Sequence, residues 1–140
     1  VTGRLGIIVG QYVLAHHLGE TFAAGTGFLI ARNPDTVRAP DFAFIQAGRV
    51  TPAAVASSWG QVMPDLVAEV VSSSDRANEI DQKVQMWLAG VRLVWVAWPQ
   101  TRVIQVFEPP APVQILDDTA TLTGGAVLPG FVTPVARIFG

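Results

Sequence analysis

The sequence contains no cysteine, which excludes disulfides and thiolate metal centres and leaves His, Asp and Glu as the side chains able to hold a cation. It has no apolar run near the roughly 18 residues a membrane-crossing helix needs, although its mean hydropathy of +0.41 is high. No basic segment leads into an apolar stretch and a small-residue cleavage site at its start, so no secretory leader is expected and a cytoplasmic location is the default. Charged residues make up only 14% of the chain and sum to a net charge of -2. That balance supplies no global basic field for nucleic acid, so contact with DNA has to come from local clustering of the cations. Lysine is nearly absent too: Lys83 stands alone among arginines.

What remains is an apolar chain of 140 residues, half of them hydrophobic, enough for one domain with a sizeable core. It opens on Val1 and enters a helical pattern almost at once, so an upstream segment is expected to be missing from a single domain spanning 1–140. Leu5, Ile8, Val9, Tyr12, Val13 and Leu14 are spaced for a helix ending near His17, with Gly19 as its stop. Glu20 to Ile30 reads as one or two short strands, Asn33-Pro34-Asp35 as a turn, and Asp41 to Ile45 as an alternating strand. Gly48 to Met63 reads as a loop with one helical turn around Ala53 to Ala56. Leu66 to Val71 is nearly all apolar, the pattern of a central strand covered on both faces.

A serine of Ser72-Ser73-Ser74 or Asp75 is placed to cap the next helix, whose apolar positions Ile80, Val84, Trp87 and Leu88 share one face, and Gly90 suits its left-handed end. Val91 to Trp98 and Val103 to Phe107 form a hairpin, Val113 to Leu116 and Thr121 to Leu128 a further strand pair, and an apolar tail ends at Phe139. The order of helix, strands, helix and strands predicts an α/β or α+β layered fold, with a parallel crossover from Leu66 to Trp98.

Within this frame Glu69 is the anomaly. Period two puts it with Val67 and Val71 on one covered face, where a carboxylate costs several kcal/mol unless it is paired, hydrogen-bonded or bound to a cation. A structural ion pair with an arginine is the plain alternative. Lys83 falls about 60° from Ile80 and about 40° from Trp87 on the helical wheel, at the margin of the buried stripe, from where it can aim at Glu69 or simply snorkel to solvent. Asp41 heads its strand as either a turn aspartate or a second carboxylate. Together Asp41, Glu69 and Lys83 make a set suited to metal-assisted phosphodiester hydrolysis, with two carboxylates for Mg²⁺ and a lysine to orient water or offset developing charge. The adjacent His16-His17 cannot chelate from one helix face, the Gly25-Thr26-Gly27 and Gly124-Gly125 elements read as turns, and Trp59, Trp87, Trp95 and Trp98 as core or interface.

Arg38-Ala39-Pro40-Asp41-Phe42-Ala43-Phe44-Ile45, the stretch from Pro64 to Asp75, Lys83, Gly90-Val91-Arg92-Leu93-Val94-Trp95-Val96 and Leu128-Pro129-Gly130-Phe131 together resemble the Uma2 family, also called DUF820, of restriction-endonuclease-like proteins. The resemblance implies a PD-(D/E)xK nuclease core, a mixed β-sheet flanked by α-helices, with Mg²⁺ or Mn²⁺ held by acids on adjacent strands. Asp41 matches the family's first acid and Glu69 its second. The lysine of the usual E-x-K would stand at Val71 and is displaced to the helix, where Lys83 matches it. The family's upstream segment with a further acid precedes the first helix, Trp98 stands where an aspartate is usual, and Ser73 where a proline is. The expected function is Mg²⁺-dependent hydrolysis of DNA. The alternatives are a non-catalytic interaction or DNA-binding module of the same fold, and a homodimer assembled through exposed apolar strands.

Overall fold

The computed structural model describes residues 1–49 and 62–140. The loop and helical turn expected between Gly48 and Met63, with Trp59, therefore fall largely outside the described residues. Helix α1 spans Thr2–His16 and buries Leu5, Val9 and Val13. It ends one residue before His17, which itself takes the left-handed conformation (φ 52°) that the sequence reading assigned to a glycine stop. Gly19 instead opens β1 (Gly19–Ala23), where a side chain would strike the main chain of Ile45 and Ala47.

A hairpin of β2 (Phe28–Ala31) and β3 (Thr36–Arg38) closes around the predicted Asn33-Pro34-Asp35 turn, β3 having been missed because three residues carry little pattern. Then follow β4 (Phe42–Gln46), β5 (Leu66–Val70), helix α2 (Ala77–Leu88), β6 (Leu93–Trp98), β7 (Val103–Phe107), β8 (Gln114–Leu116), β9 (Thr121–Thr123), β10 (Val132–Pro134) and a short helix α3 (Val135–Phe139). The main sheet has six strands in the order β1-β4-β5-β6-β7-β8. It is mixed: β5 and β6 run parallel, joined by α2, and the other neighbours are antiparallel.

Alternation along the central strands sorts the core into two layers. Phe42, Phe44, Leu66, Ala68, Leu93, Trp95 and Ala97 face α1, α3 and the C-terminal segment. Ala43, Ile45, Val67, Val94 and Val96 face Ile80, Val84 and Trp87 of α2. Each of those three α2 side chains, removed from water, contributes about 1.5–3 kcal/mol of transfer free energy, which is what seats the helix on the sheet.

Two local expectations change. Ser72 and Asp75 do not cap α2, because the Asp75 carboxylate turns back to accept the Ser72 N–H at 2.9 Å and its hydroxyl at 3.1 Å, leaving Arg76 as an N-cap without a side-chain bond. Gly90 does not take a left-handed φ; its smallness matters instead because an added Cβ would lie 3.1 Å from Met63 Cε. The segment expected to form one further strand pair is also divided differently. β8 extends the main sheet on β7, while β9 pairs with β10. Among the described residues no helix is long and apolar enough to cross a membrane.

Candidate active site

Asp41 and Glu69 take facing positions where the β4–β5 ladder ends. Backbone partners run from Phe44 opposite Leu66 to Phe42 opposite Ala68, so the next step of the antiparallel register sets Asp41 across from Glu69. Past that point side chains replace the missing strand. The Val70 N–H donates to Asp41 Oδ2 at 2.7 Å. Asp41 is thus in part the turn aspartate of the plain reading, using one of its two oxygens. An open groove of about 410 Å³, walled by Gly3 and Gly6 of α1 and by Phe22, gives it access to solvent.

Glu69 lies on the α2 face, as period two requires, and is only 8% exposed. Its partner is not an arginine. The indole N–H of Trp87, itself fully buried, donates to Glu69 Oε2 at 3.2 Å. Burial pushes the Glu69 carboxyl above its ordinary range, and the neighbouring Asp41 charge adds to this; the Trp87 bond, the Lys83 charge and the Asp41 main-chain N–H act in the opposite direction. Desolvation combined with a like charge is common at functional sites, and structural networks produce it as well.

Lys83 is exposed, one turn before Trp87 on α2. Among the described residues it forms no direct ion pair, yet its charge acts on both Glu69 and Asp75. Its exposure and lack of a direct ion pair are those of the plain alternative, a lysine at the helix edge extending to solvent. Val71, where an E-x-K lysine would stand, packs half-buried in the apolar layer beneath α2. No cluster of three or more His, Asp or Glu side chains occurs among the described residues. Two carboxylates, Asp41 and Glu69, face each other on neighbouring strands here, and oxygen donors of this kind are what hard cations such as Mg²⁺ and Mn²⁺ prefer.

Asp65, the residue just before β5, was not singled out from the sequence. It is 4% exposed and accepts the Gln46 N–H at 2.7 Å, Arg49 at 2.7 Å and Arg92 at 3.1 Å. Burial alone would raise its carboxyl, but those bonds outweigh it and hold the group below the usual range. His16 stacks on Tyr12 with ring centroids 4.0 Å apart and bonds its main-chain oxygen, a structural role.

The model of the Uma2 family, described as "Putative restriction endonuclease", matches residues 1–136. The chain belongs to the Uma2 family. A crystal structure from Anabaena variabilis, titled as a "putative nuclease belonging to DUF820", superposes with a TM-score of 0.84 over 99% of this chain and 77% of that one, at 13% sequence identity. At that identity the likeness establishes the fold, the mixed sheet between helices expected for Uma2 proteins. No curated protein matches this sequence.

Proposed function

We propose that this Uma2 protein is a Mg²⁺-dependent endonuclease that hydrolyses DNA phosphodiester bonds, with Asp41 and Glu69 as metal ligands and Lys83 as the charge-stabilising residue. The observation that carries this reading is that two acids stand at facing positions of adjacent strands, one of them buried with an indole as its hydrogen-bond partner and under the influence of the Lys83 charge. A bound divalent cation would polarise the phosphate and lower the pKa of an attacking water. Asp41, open to the groove, and Glu69, held rigidly from behind, would fix such a cation between the sheet and the DNA backbone. Lys83, exposed on α2 with its charge acting on Glu69, would supply a compact ammonium suited to orienting water or meeting charge on the phosphorane. With a net charge of -2, binding to DNA is expected to be weak and to depend on the cation and on Lys83 rather than on a broad basic face.

The test is conversion of supercoiled plasmid in the presence of Mg²⁺ or Mn²⁺ by the wild type and by Asp41→Asn, Glu69→Gln and Lys83→Ala. Loss of cleavage in all three supports the proposal, and undiminished cleavage by Glu69→Gln and Lys83→Ala overturns it. A wild type that cuts nothing and gains no stability from Mn²⁺ would favour the non-catalytic module.

A further inference from the structure

We propose that Trp87 is a positioning residue for this site, its indole N–H holding the Glu69 carboxylate in the orientation that places it beside Asp41. The proposal rests on the metal-site reading above. Trp87 is fully buried on the inner face of α2, and packing alone would be satisfied there by phenylalanine or leucine. What tryptophan adds is a donor that cannot accept, aimed at Glu69 Oε2. Trp95, equally buried on the opposite face of the sheet, finds no partner for its indole nitrogen among the described residues. Burial of an indole in this fold therefore does not by itself create such a bond.

Trp87 also follows Lys83 by one helical turn, so a single rigid element sets both groups that approach Glu69 from the α2 side. Ligating carboxylates are commonly oriented by hydrogen bonds from behind, and loss of such a partner weakens metal binding by about 10- to 100-fold.

The test is Mn²⁺ binding by the wild type, Glu69→Gln and Trp87→Phe, the last keeping the aromatic packing while deleting the N–H. Binding that is lost in Glu69→Gln and at least about tenfold weaker in a folded Trp87→Phe supports the proposal. Wild-type affinity in Trp87→Phe, alongside loss in Glu69→Gln, overturns the positioning role while leaving the metal site intact. No Glu69-dependent binding in the wild type overturns both. Should Trp87→Phe fail to fold, the indole N–H resonances of the wild-type protein decide. On titration with Mg²⁺ the Trp87 resonance should move saturably while that of Trp95 stays still, and a stationary Trp87 resonance refutes the role.

Discussion

Replacing Glu69 by glutamine should make the metal-free protein more stable. A carboxylate taken out of water to this degree carries a penalty of several kcal/mol, and the charge-assisted bond from Trp87 returns only about 1.5–3 kcal/mol of it. Lys83 stands in solvent, where its attraction is screened, and Asp41 repels. The glutamine carbonyl can still accept the Trp87 N–H, and its amide can donate toward the Asp41 carboxylate. The net gain is about 1–2 kcal/mol, or about 3–8 °C in melting temperature for a chain of this size. The sign follows from the raised carboxyl. A folded-state pKa above the unfolded value near 4.5 means that ionised Glu69 destabilises the fold at neutral pH, and that the cost disappears as pH falls below that value. Thermal or urea unfolding of both proteins at neutral pH and near pH 4 measures the difference, which should close in acid. Adding Mg²⁺ should reverse the ranking, since a cation at about 100 times its Kd adds about 2.7 kcal/mol to a protein that binds it and nothing to one that does not. A loss of about 2 kcal/mol or more in metal-free Glu69→Gln at neutral pH would refute the reasoning and make Glu69 a structural residue.

Asp65→Asn should behave oppositely, losing about 2–3 kcal/mol because the Gln46, Arg49 and Arg92 bonds lose their anion, with the half-exposed arginines limiting the damage. Its lowered carboxyl contributes stability present above the unfolded value near 3.8 and lost as pH falls through the folded one, so the deficit of the variant should shrink in acid unfolding curves. Lys83→Ala should change stability by no more than about 0.5 kcal/mol, since the side chain is exposed, while eliminating plasmid cleavage. Lys83→Arg should fold equally well and restore little cleavage, because a planar guanidinium does not reproduce a compact ammonium; full activity in that variant would remove the argument from the lone lysine.

The parts legible in the sequence are those governed by one element's own period. Two-residue alternation gave the shared face of Glu69 and Val67 and the strand headed by Asp41, and the 3.6-residue wheel put Lys83 at the edge of the buried stripe of α2. What escaped depends on partners distant along the chain. Arg92 reaches Asp65 across 27 positions, and nothing local in either segment announces it. Trp87 was expected to be core, and it is, but the pattern that buries an indole says nothing about where its N–H points. The short β8 reads as half of a local hairpin, whereas its pairing with β7 is decided by the exposed edge of a sheet already built. Asp75 and Ser72 looked like a helix cap because capping and turn closure use the same residue types, and only the geometry of the chain after β5 selects between them.

The strongest contrast between the two acids lies along β5, with buried Asp65 immediately before it and buried Glu69 one residue from its end. Both are among the least exposed polar residues described, and both would be raised by desolvation alone. At Asp65 the fold answers with a main-chain donor and two guanidiniums, and the carboxyl is held down. At Glu69 it answers with one indole and a second carboxylate, and the carboxyl is pushed up. The protein has eight arginines, so leaving Glu69 without one is not a shortage of cations. An arginine at the α2 margin could give Glu69 a permanent ion pair. Lys83, exposed at the helix rim and in no ion pair among the described residues, leaves the Glu69 carboxylate without a direct cationic partner, as the proposed cation site would need.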